Sequence, residues 1–213
     1  MSNLRRLKPA AIAVTGLLLI GWMGFSVVGR LKNDAAGIVD DTLPGLVFGG
    51  QINSELSENF GRSLLVINSD SPEERDLYLK RIDEGSKRVD DSMRGYQSCI
   101  FEEQDRHLFN DLATLRERYR GVRRKVFDLV KEDRRKEALR LLETELLPAY
   151  SAQKEAGEAL FDYNVKQGKV RGTRIETVCR RTQWVVTAIC VMVFVGGFFT
   201  PFFAIRLPPN FWK

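Results

Sequence analysis

The chain has 213 residues and a formal net charge of +5, with one histidine and three cysteines. The basic excess does not indicate a nucleic-acid-binding protein, because it lies in the two tails: residues 1–9 and 206–213 hold five basic residues and no acid, and no nucleic-acid motif accompanies them. The odd number of cysteines gives no disulfide framework, and Cys99 and Cys179 are expected to lie too far apart for a bridge.

Two apolar runs, one near each end of the chain, predict transmembrane helices. Residues 10–29 and 182–205 contain no charged residue, and about 20 apolar residues are enough to cross a bilayer core of ~30 Å. A cleaved signal peptide is the alternative for the first run, but the run is longer than the usual apolar core of about 7–15 residues. The second run has no polar face, which argues against a helix of a soluble protein.

The charge of the tails predicts that both termini are cytoplasmic, because basic segments remain on that side of the membrane. The predicted order is a cytoplasmic tail (1–9), a transmembrane helix (10–29), an extracytoplasmic domain (30–181), a second transmembrane helix (182–205) and a cytoplasmic tail (206–213). Four arginines count against this orientation, namely Arg171, Arg174, Arg180 and Arg181. A long domain, however, is translocated largely regardless of its charge.

The first helix of the central region should continue from the first span to about Asn68. Pro44 should kink or break it, since proline has no backbone N–H and its ring clashes with the preceding turn. The stretch SDSPEE then predicts the start of the second helix. Ser71 is the expected N-cap, Pro72 takes the first helical position, and Glu74 completes the pattern of a capping box.

Three stripes of heptad spacing predict the buried faces of the remaining helices. The second helix has Tyr78, Ile82, Gly85, Val89, Ser92, Tyr96 and Cys99. The third has Leu108, Leu112, Leu115, Tyr119, Val122, Val126 and Leu129. The fourth has Leu139, Leu142, Leu146, Ala149, Gln153, Ala156, Leu160 and Tyr163. The sequence therefore predicts an all-α, up-down-up-down four-helix bundle flanked by two transmembrane helices.

The boundaries of the last two helices are less sharply marked. We place a turn near residues 102–105 and take Asp133 as the N-cap of the fourth helix, in which Pro148 should form a kink. Leu115 lies in the middle of its stripe and is expected in the core, whereas Arg116 is expected to be solvated.

Residues with catalytic or metal-binding potential are sparse. His107 has Gln104 three residues before it, whereas a di-metal bundle needs Glu-x-x-His on two helices, so we expect a solvated histidine near a helix start. The sequence has no haem-attachment motif, no glycine-rich phosphate loop and no Gly-x-Ser-x-Gly elbow. We predict no catalytic residue, no metal site and no cofactor, and a protein that is not an enzyme.

Three stretches resemble the four-helix-bundle sensory domain of bacterial methyl-accepting chemotaxis receptors: DDTLPGL after the first span, FGRSLLVINSD at the end of the first helix, and LPAYSAQKEAGEALFDYN in the fourth. Together with the two spans, the resemblance covers nearly the whole chain. It implies a location in the bacterial inner membrane, with the central domain periplasmic or extracellular.

In amino-acid-sensing members, the resemblance implies that a ligand binds between two subunits. Arginines of the first helix bind its carboxylate, for which a guanidinium is geometrically matched, and groups of the fourth helix bind its amine. Arg62 matches one arginine position, but Ser57 and Val66 replace the other two, and Ala149 replaces a hydroxyl residue. The candidate ligand-binding residues that remain are Arg62, Tyr150 and Gln153. The alternative for Arg62 is an exposed surface arginine.

Such receptors continue past the second span into a linker-transducing module, and RLPPN resembles its beginning. We therefore expect the sensing half of a receptor without the cytoplasmic output half. The expected partners are a second copy of the chain or full-length receptors, a small-molecule ligand and membrane lipid, and the signal would pass as a shift of the fourth helix against the first. The alternatives are a structural or adaptor membrane protein that docks a partner without a ligand, and a truncated receptor fragment.

Overall fold

The computed structural model describes the backbone of residues 2–206, and the side chains of residue 18 and of residues 20–192. Throughout the described backbone the regular secondary structure is helical. The chain divides into two compact units, one formed by Met1–Ala35 with Arg171–Lys213 and the other by Ala36–Val170. The second unit is the four-helix bundle that the sequence predicts.

Within the described backbone the helices are α1 (Ser2–Gly37), α2 (Leu43–Asn68), α3 (Pro72–Gln97), α4 (Glu103–Lys131), α5 (Arg135–Leu141) and α6 (Leu147–Arg206). The predicted end of the first helix of the bundle at Asn68 and the predicted start of the second at Pro72 are confirmed. The turn predicted near residues 102–105 lies slightly earlier, between Gln97 and Glu103.

Neighbouring helices of the bundle run antiparallel, because residue numbers rise on one helix as they fall on its partner. The contacts that show this are Gln51–Ser92 and Glu55–Arg88 between α2 and α3, Asp90–Arg116 and Tyr96–Asp105 between α3 and α4, and Asn53–Gly157 and Ser57–Tyr150 between α2 and α6. The up-down-up-down order is therefore confirmed.

Both predicted proline disturbances take the form of a π-helical turn. One turn, Ile38–Thr42, lies between α1 and α2, and the other, Leu142–Leu146, lies between α5 and α6. Pro44 and Pro148 each stand second in the helix that follows. A proline interrupts the i→i−4 hydrogen-bond ladder, and a π turn with i→i−5 bonds lets the helix continue past the interruption.

Ser71 is confirmed as the N-cap of α3. Its side-chain oxygen accepts a hydrogen bond from the backbone N–H of Glu74 at 3.3 Å. The carboxylate of Glu74 accepts instead from the Ser69 hydroxyl at 2.9 Å. Only one of the two hydrogen bonds of a capping box is therefore present. The Glu74 carboxylate accepts from Ser69 and not from the backbone N–H of Ser71.

Asp133 is not the N-cap of the fourth helix, and this prediction is wrong. Its φ is 60°, and it ends α4 instead. The N–H of Arg134 donates to the carbonyl of Leu129 at 2.9 Å, and the N–H of Asp133 donates to that of Val130 at 3.2 Å. These two bonds form a Schellman motif with Asp133 in the left-handed position, and Arg134 precedes α5.

The core of the bundle consists of two apolar clusters. One is centred on Val66, Ile82, Val126 and Leu146, and the other on Ile52, Val89, Leu112 and Leu160. The predicted stripe of α3 is buried except at Tyr78, which is half-buried. Each fully buried aliphatic side chain contributes roughly 1.5–3 kcal/mol to folding, so these stripes supply most of the stability of the fold.

Of the predicted core positions one is exposed, Leu139, and six are only half-buried: Tyr78, Leu108, Leu115, Leu129, Leu142 and Ala156. Leu139 is 36% exposed, and Ala138 is fully buried in its place. The π turn that follows has more residues per turn than an α-helix. The positions that face the core before this turn are therefore shifted relative to those that face it afterwards.

Leu115 is half-buried, whereas Arg116 is only 5% exposed. The guanidinium of Arg116 reaches α3, where it pairs with Asp90 at 2.5 Å and donates to the carbonyl of Ser86 at 3.2 Å. A long side chain can bury its stem and still satisfy its charge, which a heptad pattern does not reveal.

No helix, among the residues that the structure describes, has a segment that is both long and apolar enough to cross a membrane. The predicted spans over 10–29 and 182–205 include residues 10–17 and 193–205, whose side chains lie outside the described residues. The side chains of both predicted tails also lie outside them.

Candidate functional site

Arg62 is held on α2 by acidic neighbours. Its guanidinium pairs with Glu58, donates to the amide oxygen of Asn59 at 3.2 Å, and lies 3.8 Å from the carboxylate of Glu55. Glu55 also accepts from Arg88 of α3 at 3.0 Å. Arg62 is 20% exposed at its side chain, so it is partly accessible, and a carboxylate ligand would compete with two carboxylates of α2.

An open groove of about 410 Å³ lies beside this network, between α2 and α3. Its lining residues carry both charges and several hydrogen-bonding groups: Gln51, Ser54, Glu55, Arg88, Asp91 and Ser92. The hydroxyl of Ser92 donates to the amide oxygen of Gln51 at 3.1 Å across the groove. The surface is therefore polar, with its charged side chains largely paired.

Tyr150 lies against aromatic residues of two other helices. Its ring stacks on Phe60 with centroids 3.8 Å apart, and it is tilted against Tyr119 at 6.2 Å. Its hydroxyl donates to that of Ser57 at 3.5 Å. The partners of Tyr150 and of Arg62 are different residues of α2, so these contacts do not bring the two predicted residues together.

Gln153 is fully buried, and neither its Nε2 nor its Oε1 has a hydrogen-bond partner among the described residues. A buried amide left without partners is destabilising by about 1–3 kcal/mol for each unpaired group. The side chain therefore weakens the core relative to an apolar residue of similar size. No described contact joins Gln153 to Arg62 or Tyr150, and the ligand-binding role of the three residues stays a prediction.

A buried polar cluster at one end of the bundle joins three helices. Asn164 Nδ2 donates to the hydroxyl of Tyr96 at 2.5 Å, and that hydroxyl donates to Asp105 Oδ1 at 2.6 Å. All three residues are at most 2% exposed. A Cβ at Gly45 would collide with the Asn164 side chain, so the glycine lets α2 approach this cluster closely.

Sequence reasoning identified Tyr96 as a core residue but missed Asp105 and Asn164. Two signals could have found them. Asp105 stands one heptad before Leu112, and Asn164 stands four residues after Leu160, so both continue the buried stripes of their helices.

Burial changes the acidity of this cluster. It raises the pKa of Asp105 above its ordinary value, the hydrogen bond from Tyr96 opposes the change, and the nearby charges of Asp41 and Glu102 add to it. Burial, together with the charges of Asp105 and Asp41, raises the pKa of Cys99 to about 11. The Cys99 thiol is therefore protonated and unreactive near neutral pH.

His107 is exposed, and its Nδ1 lies 3.1 Å from the carboxylate of Asp111. This matches the solvated histidine that the sequence predicts. Among the described residues, no group of three or more His, Cys, Asp and Glu side chains is arranged to hold a metal ion.

Residues 10–178 match the sequence pattern of a family described as a four-helix-bundle sensory module for signal transduction. The matched region contains the whole of the bundle. No curated protein matches the chain.

Proposed function

The chain belongs to the family of four-helix-bundle sensory modules for signal transduction, and from this premise we propose that it is a membrane-anchored, chemoreceptor-like sensor that signals as a dimer. The proposed location is the bacterial inner membrane, with the bundle outside the cytoplasm. The charge-free runs over residues 10–29 and 182–205 and the basic tails support this placement.

The main support for a dimer is a second stripe of apolar and small residues on α2. One face of α2 is buried in its own bundle. Another follows steps of four and three residues and is exposed except at Gly50, which is half-buried: Leu43, Val47, Gly50, Ser54, Ser57 and Gly61. Leu43 and Val47 are about half exposed, at 49% and 55%, and Leu65 extends the face at 47%. A helix with a second stripe of apolar and small residues is suited to pack against another helix. We assign that helix to α2 of a second copy.

The contact between α2 and α6 supports a sliding motion as the signal. Glycines lie on both helices at this contact, at Gly49 and Gly157, and Asn53 donates to the carbonyl of Gly157 at 3.1 Å. Small residues allow close approach, and the register is held by two side-chain hydrogen bonds, from Asn53 to Gly157 and from Tyr150 to Ser57. Shifts of about 1–2 Å between packed helices are a recurring way to pass a signal through an interface.

The predicted ligand residues fit this proposal only in part. A ligand carboxylate at Arg62 would displace Glu55 or Glu58, and Tyr150 offers one hydroxyl at the surface of α6. We propose Arg62, Tyr150 and Gln153 as residues that respond to ligand.

A structural or adaptor protein is the competing function, and it needs a dry, leucine-rich dimer face. The middle of the α2 stripe consists instead of glycine and serine residues. Such a stripe lacks the large apolar side chains that interlock in a permanently packed coiled coil.

A bulky residue on the stripe tests the dimer. A Cβ at Gly61 would meet no atom within 4 Å in its own subunit, so Gly61→Leu should leave the bundle folded and weaken the dimer of the full chain. Gly121→Leu on α4 is the matched control, because Gly121 is equally open and lies off the stripe. Light scattering of the protein in nanodiscs gives the mass of the assembly. A wild-type monomer, or equal loss of the dimer in both variants, would contradict the proposal.

A further inference from the structure

The unit formed by the two ends of the chain contains an antiparallel pair of helical segments. Arg174 of α6 pairs with Asp34 of α1 at 3.0 Å. This contact sets the approximate register of the two segments, with Arg181 near the level of Val27 and Val178 near the level of Arg30. The two arginines therefore lie about 4.5 Å apart along the helix axis, at a rise of 1.5 Å per residue.

A groove of about 430 Å³ lies between these two segments. Arg30 and Arg181 line it towards one end, with Val178 and Val27 opposite them, and Ser26 and Thr182 line its middle. Trp22, Met23 and Val185 line the other end. Both charged side chains of the groove therefore lie towards one end, and the other end is apolar.

The charge of this unit is strongly positive. Among its described side chains, six are basic and two are acidic: Arg30, Lys32, Arg171, Arg174, Arg180 and Arg181 against Asp34 and Glu176. Asp34 is already paired with Arg174. No acidic side chain among the described residues of the unit pairs with Arg30 or Arg181, which leaves both guanidinium groups available to an anion.

We propose that this groove binds an anionic phospholipid, whose phosphate lies between Arg30 and Arg181 and whose acyl chain follows Trp22 and Val185. This inference rests on the proposed membrane anchoring, since Arg30 and Arg181 directly flank the two charge-free runs. In the proposed topology both arginines lie at the extracytoplasmic end of a span, where long basic side chains reach the level of the lipid headgroups. Guanidinium groups bind phosphate through paired hydrogen bonds. A free phosphate would use the cationic end of the groove and leave the apolar end empty.

The test uses the full chain in two kinds of nanodisc, one of phosphatidylcholine alone and one with about a third of phosphatidylglycerol. Native mass spectrometry then counts the phosphatidylglycerol that stays with the protein after its release. Wild type should retain this lipid from the mixed discs in preference to phosphatidylcholine. The double variant Arg30→Gln with Arg181→Gln should retain at least about tenfold less.

The matched control is Lys32→Gln with Arg180→Gln, which removes the same charge from the same two helices. Neither residue lines the groove, so retention should change by less than about twofold if the site is specific. Equal loss in the two double variants would overturn the site, because it would show attraction by overall charge alone. Retention of both lipids in the same proportion as they have in the discs would overturn the site as well.

Two further outcomes separate the alternatives. Displacement of the retained lipid by soluble glycerol phosphate would show a site for phosphate alone and would overturn the lipid assignment. Absence of the protein from both kinds of disc would overturn the proposed anchoring and the lipid site together, whereas insertion without lipid preference would overturn only the lipid site.

Discussion

Asp105, Tyr96 and Asn164 form a chain of hydrogen bonds inside the bundle, and Asp105 is its titratable end. The carboxylate is 2% exposed, and its only described hydrogen-bond donor is the Tyr96 hydroxyl. Asp41 and Glu102 add negative charge from the π turn and from the start of α4. Ionisation of Asp105 is therefore less favourable in the folded protein than in water.

The pH dependence of stability follows from this difference. The pKa of Asp105 in the folded protein is above the ordinary value of 3.8, so the folded state holds the proton more tightly than the unfolded state. The contribution to stability is greatest below the unfolded pKa and is lost as pH rises through the folded pKa. We expect Asp105→Asn to raise the midpoint of urea unfolding at neutral pH and to reduce its decline as pH rises above the unfolded value of 3.8.

An asparagine at this position can still accept the hydrogen bond from Tyr96, so the substitution removes the charge and keeps the contact. Asp111→Asn on the same helix is the control, since Asp111 is 56% exposed at its side chain. An identical pH profile for wild type and Asp105→Asn would show that Asp105 ionises normally in the folded protein.

At the scale of the elements, the ends of the helices show where local sequence decides structure. Ser71 and Pro72 lie within the first turn of α3, and α3 begins at the residue that these two predict. The end of α4 is different, because the left-handed residue of its Schellman motif is Asp133 and not a glycine. Any residue with a Cβ is strained in that conformation, although aspartate tolerates it better than most.

Asp133→Gly should therefore stabilise the protein by about 0.5–1 kcal/mol. The side chain of Asp133 makes no described hydrogen bond or ion pair, so little is lost with it. Thermal unfolding of the full chain measures the change. Glu132→Gly is the control, and we expect it to destabilise the protein. Glu132 has a φ of −82°, which any residue adopts without strain. Glycine there adds only freedom to the unfolded chain, and it removes the ion pair with Arg134. A lower melting temperature for Asp133→Gly would contradict the assignment of the motif.

At the scale of the whole molecule, the proposed topology depends on the charge of the two tails. Residues 1–9 and 206–213 hold all of the net positive charge, and basic segments are retained in the cytoplasm. A reporter that is active only in the cytoplasm should be active when fused to Met1 and when fused to Lys213. The same reporter inserted in the loop after Asn68 should be inactive. An inactive fusion at either terminus would refute the two-span topology.

Local and periodic features of the sequence were sufficient to predict the bundle. Heptad spacing located five of the seven buried residues of α3 and four of the nine of α4. Ser71 and Pro72 marked the start of a helix, and Pro44 marked a disturbance. Each of these signals acts between residues within one or two helical turns. The boundary or the buried face of a helix can therefore be predicted from residues that are close in the sequence. The family match over residues 10–178 agrees with that reading of the fold.

The tertiary structure decided the features that depend on residues far apart in the chain. Arg116 is buried because Asp90 and Ser86 of another helix accept its hydrogen bonds, and Asp105 is buried because Tyr96 donates to it. Charged residues are usually placed on the solvated face of a helix, since an unpaired buried charge is costly. Only the packing of the helices brings such residues to partners that offset this cost, and the spacing along one helix does not show where those partners lie.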